Sequence, residues 1–157
     1  MWFNAEEDNF RARILSKPYN NIHVGSSPLD GMTLETARSY HTFINLCENP
    51  LYSLDDERPN LETAYHWIPI EELEEWGEEK ISRVRDILDF EYNNSHKIYM
   101  HCAAGTNRSP CIAMNWLMFS RKHSLKDAAL IVAGNGAEIF ERKYKMNIEL
   151  GYIVRKI

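Results

Sequence analysis

The sequence predicts an α/β domain built on a central, largely parallel sheet flanked by helices, and three observations predict it. Short apolar runs with strand character alternate along the chain with segments of helical composition. The runs are bounded by turn residues, and the helical segments between them are long enough to carry crossover connections. No internal repeat, low-complexity tract or Gly/Ser linker interrupts the alternation, so residues 1–157 read as a single domain. A chain of 157 residues, 44% hydrophobic and 26% charged, is of ordinary size and composition for one globular domain with its own core.

Taken in order, IHVGSS (22–27) reads as a short strand ending in turn residues, and TLETARSYH after Asp30-Gly31 has helix-forming composition. TFINLC (42–47) is a second strand. The stretch from Glu48 to Glu62, rich in proline, asparagine and acidic residues, is assigned to a surface loop. AYHWIPI (64–70) resumes strand character. The acidic run EELEEWGEE (71–79) reads as a solvated helix face. Ile81, Val84, Ile87, Leu88 and Phe90 then fall largely on one side of an amphipathic helix, in a run without Gly or Pro. KIYMHC (97–102) is an apolar-rich strand. The AAGTNR after it leads into a helix for which Ser109 suits the cap and Pro110 the first turn. Ser124-x-x-Asp127 is a capping box for a further helix, Gly134-Asn135-Gly136 ends it, and AEIFERKYKMNIEL forms the last.

Net charge is −5, with the 18 basic residues scattered along the chain, so no stable nucleic-acid partner is expected. No stretch approaches the roughly 18–20 apolar residues that cross a bilayer, and the N-terminus lacks the order of a secretory signal. No membrane partner and a cytoplasmic location are therefore expected. The three cysteines are odd in number and lack the paired spacing of zinc ligands, which points to reduced thiols and no metal. Cys47 and Cys111 read as small buried hydrophobes.

Cys102 stands apart. In His101-Cys102-Ala103-Ala104-Gly105-Thr106-Asn107-Arg108-Ser109, a tight loop joins a buried strand to a helix. Such a loop turns successive backbone N–H groups into an anion nest, and the helix N-terminus adds positive potential. Ala103, Ala104, Gly105, Thr106 and Asn107 thus form a phosphate-binding loop. Gly105 supplies backbone freedom, and Arg108 offers a planar fork of donors to two phosphate oxygens. The same field favours the thiolate of Cys102 at neutral pH. That thiolate is placed to attack phosphorus in line and form a thiophosphate intermediate that water hydrolyses, with Ser109 steadying the sulfur as it leaves. His101 is expected to fix the loop by hydrogen bonds.

By average residue usage, this spacing of His, Gly, Arg and Ser around one of three cysteines arises by chance on the order of once in 10⁴ to 10⁵ chains. HCAAGTNRS resembles the H-C-x-x-G-x-x-R-[ST] signature of the protein tyrosine phosphatase superfamily, and the short chain is similar to its compact dual-specificity branch. IHVGSSPL, INLC, YHWIPIEE, the amphipathic helix, the signature and the SLKDAA helix follow in family order. The resemblance implies the superfamily fold and hydrolysis of phosphomonoesters on phosphotyrosine and phosphoserine/phosphothreonine proteins without metal or cofactor, a phosphorylated protein being the partner. It also implies an acid after an I-P-I-x strand end. This sequence has Ile68-Pro69-Ile70-Glu71-Glu72, and register selects Glu72 as the general acid, with Glu71 next and Asp55 or Asp56 more distant. In some superfamily members a second thiol at the position of Cys47 pairs with the nucleophile.

Two features depart from the family pattern: the acid is a glutamate, and IVAGNGAEIFERKYK replaces an arginine- and proline-containing stretch. The low-molecular-weight tyrosine phosphatases share C-x5-R-S but carry it near the N-terminus, whereas here it lies two-thirds along the chain. No G-x-x-x-x-G-K-[ST] occurs, which excludes a P-loop nucleotidase. Other readings are the same chemistry on an RNA 5′-triphosphate or a phosphoinositide, and a catalytically weak phosphate-binding module. Positions 103, 104, 106 and 107 are uncharged, which argues against a polyanionic substrate; retention of Cys102 argues against a pure binder.

Overall fold

A computed structural model describes residues 3, 5–50 and 62–154. Five strands form one sheet: β1 (Ala12–Ile14), β2 (Ile22–Gly25), β3 (Thr42–Asn45), β4 (Ala64–Trp67) and β5 (Ile98–His101), in spatial order β1-β2-β5-β3-β4. β2, β5, β3 and β4 run parallel, and β1 pairs antiparallel on the edge. Five helices connect or follow them: α1 (Leu34–Arg38), α2 (Glu78–Asn93), α3 (Arg108–Phe119), α4 (Leu125–Ala133) and α5 (Ala137–Glu149).

Strand alternation divides the core between the two sheet faces. Ile44, Ile98 and Met100 point into the larger cluster, which they share with residues of α2 to α5. Phe43 and Tyr99 point the other way, onto Met32, Ala37 and Tyr40. At the centre of the larger face lies α3, buried from Arg108 through Leu117. Its polar Asn115 is satisfied on both sides, accepting from Arg85 and donating to the Tyr144 hydroxyl.

The predicted strands and helices appear, and four local readings are corrected. β1 was not anticipated: its three residues are all exposed, so no alternation marks it. The acidic run is a turn through residues 71–77 before α2 starts at Glu78, and its Trp76 is buried as an anchor. On α2 the buried stripe is Ile81, Val84, Leu88 and Glu91, while Phe90 is 63% exposed. Spacings of three and four select Glu91 over Phe90, and the buried carboxylate is partnered by His96 Nδ1. Finally, α3 begins at Arg108 with Asn107 as its cap residue, so Ser109 lies inside the first turn with its hydroxyl committed elsewhere. Asp55 and Asp56 lie outside the described residues.

Candidate active site

Parallel strands end on one side of a sheet, and the loop 102–107 leaves the central strand at that side. Its two neighbours hold it. On β2, the Gly25 carbonyl accepts the Cys102 N–H at 3.2 Å, and the Ala103 carbonyl accepts the Ser27 N–H at 3.0 Å. Gly105 adopts φ +74°, and a Cβ there would lie 2.6 Å from Gly25 C and Ser26 N, so only glycine permits this approach. From α5, Lys143 Nζ donates to the Thr106 carbonyl at 2.6 Å, and buried Asn147 donates to Asn107 Oδ1 at 2.8 Å. Among the described residues, the backbone N–H groups of Ala103 to Asn107 are given to no backbone carbonyl. With the carbonyls of 103 and 106 occupied and the amides uncommitted, the loop presents donors to an anion.

Cys102 is 2% exposed, and its Sγ lies 3.3 Å from Ser109 Oγ. The Ser109 hydroxyl also lies 3.2 Å from the Gly25 carbonyl, so one hydrogen has two available acceptors. A thiolate draws that hydrogen to itself, and Gly25 still receives the Cys102 N–H. Arg108 is buried at the start of α3. Both hydrogens of its Nη1 are used, on Glu48 Oε1 at 2.7 Å and the Ile70 carbonyl at 2.7 Å. Its Nε is buried without a partner. Two protein acceptors therefore orient the guanidinium by one corner and leave its buried Nε to donate to a ligand oxygen.

His101 lies under the loop: its ring makes a hydrogen-bonding contact with the Cys102 backbone, its Nδ1 is 3.9 Å from Cys47 Sγ, and its Nε2 has no partner. Burial outweighs a favourable contact with the Cys102 backbone and lowers its pKa to about 3, so the ring is neutral. Burial, with the charge of Cys102, pushes the half-buried Cys47 thiol up to about 11. Cys111 is fully buried, where burial pushes it up to about 12 and Asn147 donates to it at 3.5 Å.

The two candidate acids sit differently. Glu72 borders a depression beside the loop together with Thr106, Asn107, Lys143 and Asn147. Glu71 is exposed and its pKa is raised, first by a hydrogen bond to Glu74 and then by that group's charge. The raised pKa suits an acid, but proton transfer requires reach before it requires tuning, and Glu72 borders the loop. Sequence reasoning missed Glu48, Lys143 and Asn147. Glu48 carried a signal, since it directly follows the strand TFINLC, whose end must lie beside that of β5. Lys143 and Asn147 carried none, because α5 approaches the loop only through tertiary packing.

The family model for the dual specificity phosphatase catalytic domain matches residues 29–150. Dual specificity protein phosphatase 5 of Rattus norvegicus is 34% identical over 65 residues, which is 41% of this chain and 17% of that protein. The Homo sapiens protein of the same name gives the same figures. The chain's match thus spans about a sixth of these relatives' length. Among solved structures, Tk-PTP in the active form superimposes with a TM-score of 0.58 at 21% identity, covering 91% of this chain and 97% of that one. A mouse putative dual specificity phosphatase complexed with zinc tungstate gives 0.60 at 17% identity, covering 98% and 97%. With its signature loop between β5 and α3 and the family model spanning most of its length, this chain belongs to the dual specificity phosphatase catalytic-domain family, a class of cysteine-dependent phosphatases.

Proposed function

We propose that the protein hydrolyses phosphomonoesters on phosphotyrosine and phosphoserine/phosphothreonine proteins through a phosphocysteine intermediate, with residues 1–157 acting as one catalytic domain. The observation that carries this reading is the buried Cys102 sulfur beside Ser109, beneath a loop whose Arg108 keeps its Nε donor unpartnered. The Cys102 thiolate attacks phosphorus, forming the S–P bond as the P–O bond to the substrate breaks. Glu72 gives its proton to the departing oxygen. The loop amides and the Nε of Arg108 hold the charge on the equatorial oxygens. Water then attacks phosphorus and yields a proton to the Glu72 carboxylate, the S–P bond breaks, and Ser109 turns its hydrogen toward the returning thiolate.

Nothing in these steps calls for a metal or cofactor. No helix among the described residues is long and apolar enough to cross a membrane. A nucleophile that must remain a free thiol favours a reducing compartment, hence the cytoplasm. The test is hydrolysis of an aryl phosphate with EDTA present, together with inhibition by vanadate, an oxyanion of the phosphate class. Turnover that EDTA abolishes, or that vanadate leaves untouched, refutes the reading.

A further inference from the structure

We infer that Arg11 and Arg13 form a second anion-binding subsite beside the phosphate loop, and that the preferred substrate is a phosphopeptide carrying a carboxylate or second phosphoryl group on one flank of the phosphorylated residue. This rests on the phosphatase reading above. The placement follows from the sheet. Gly105 of the loop packs on Gly25–Ser26, and the other side of that segment is held by β1: Ser26 N–H donates to the Arg11 carbonyl at 2.8 Å, and Ala12 is in register with Gly25. Arg11 is therefore one strand away from the loop.

A depression of about 450 Å³ opens there, lined by Arg11, Arg13, Ala104, Gly105, Thr106 and Phe140 among others. Phe140 is buried and organises the cations around it: the Arg13 guanidinium lies 5.0 Å from its ring centroid and Lys143 Nζ lies 5.3 Å away. No carboxylate lines this depression among the described residues. Arg85 and Arg142, by contrast, are paired with carboxylates, those of Glu78 and Glu138. Arg13 on the Phe140 ring and Arg11 beside it, in a depression without carboxylates next to an anion-binding loop, favour a ligand with a further negative charge.

The other flank of the loop has the opposite character. The depression containing Thr106 and Asn107 there has one cation, Lys143, offset by Glu72, and is otherwise bordered by the exposed Leu73, Met146 and Leu150. The charge preference is consequently one-sided. A peptide suits this arrangement better than a polyphosphate. In a polyphosphate the next phosphorus is one bridging oxygen from the first, and the loop's own positions near it are uncharged. An extended peptide places its next same-side side chain roughly 7 Å along, on the scale of a neighbouring strand.

The test compares kcat/KM for phosphotyrosine peptides that are neutral, or that carry aspartates or a phosphoserine on the N-terminal or the C-terminal side. A 5′-triphosphorylated oligonucleotide and an aryl phosphate complete the set. An exposed charge pair gives up to about fivefold, so two arginines give up to about thirtyfold for the favoured flank. The phosphoserine should exceed the aspartates, and added salt should shrink the advantage. In Arg11→Gln/Arg13→Gln the ratio of acidic to neutral peptide should fall to about one, and as a ratio it is unaffected by any general loss of activity. Equal enhancement from both flanks, no enhancement, or a ratio that survives the double substitution overturns the inference while aryl phosphate turnover upholds the phosphatase. Oligonucleotide hydrolysis faster than that of any peptide, and slowed by the double substitution, reassigns the arginines to a polyphosphate. Failure to hydrolyse the aryl phosphate removes the phosphatase reading and the inference with it.

Discussion

The phosphate cradle and the acid-bearing turn meet at the same loop but are built by opposite means. Cys102, Arg108 and Ser109 are buried and held by β2, Glu48 and the Ile70 carbonyl, and α5 clamps the loop between them at Thr106. Glu71 and Glu72 lie in an exposed turn whose fixed points are the buried Ile70 on one side and Trp76 on the other. Charge stabilisation requires donors that do not reorganise during reaction, which a packed strand–loop–helix unit provides. Proton delivery tolerates a mobile donor, provided it reaches the leaving oxygen. The cradle should therefore be intolerant of small changes, and the turn should not.

The sharpest way to break this contrast is at the nucleophile. Cys102→Ser should reduce turnover by about 10⁴-fold or more, since no other group supplies the attacking atom, while vanadate binding by calorimetry persists. Substantial turnover in that variant removes Cys102 from its role. Next in size is Arg108→Lys, which keeps the charge but loses the fork; kcat/KM should fall by about 10² to 10³. An effect below tenfold would mean that point charge suffices and the geometry at Nε is incidental.

The turn is probed by leaving group. Glu72→Gln should slow a phosphoserine peptide by about 10² and an activated aryl phosphate only a few-fold, because a good leaving group needs no proton. If Glu71→Gln reproduces that pattern and Glu72→Gln does not, the acid is Glu71 and its partnership with Glu74 is functional.

The smallest effect concerns the floor of the cradle. His101 is held neutral, with a pKa pushed down to about 3, chiefly by burial, and His23 is lowered to about 4 by burial and by Lys97. An unfolded histidine titrates near 6.5, so below that pH the unfolded chain takes up protons that the native state refuses. Stability should be intact above pH 6.5 and decline as pH falls toward 4. His101 contributes a slope of at most about 1.4 kcal/mol per pH unit, and partly solvated His23 contributes less. Urea unfolding of wild type and His101→Asn at pH 7 and pH 5 checks this: the variant should lose less on acidification, and equal losses would count against it.

Much of the cradle was legible in the sequence because its parts are contiguous. A strand, a loop with Gly105 and a helix following Arg108 occupy a single stretch, and local chemistry dictates each. What was not legible depends on distant segments meeting. The grip of Lys143 and Asn147 on the loop requires α5 to fold back across residues far apart in sequence. β1 escaped notice because an exposed edge strand of three residues has no buried face to impose a pattern. Phe90 and Glu91 misled because hydrophobicity was read before phase: the buried stripe follows helical spacing even where that buries a carboxylate.

The strand order has a further consequence, for the order of events as the chain is made. β1 with β2, and β3 with β4, form two separate ribbons that share no hydrogen bonds with one another, and β5 alone joins them. Until residues 98–101 have been synthesised and inserted, the sheet has an empty central slot. The segment that fills it ends directly at the nucleophile. The loop and helix that complete the cradle, residues 103–119, follow this strand in the chain, so a nascent chain lacking the strand also lacks the groups that surround the thiol.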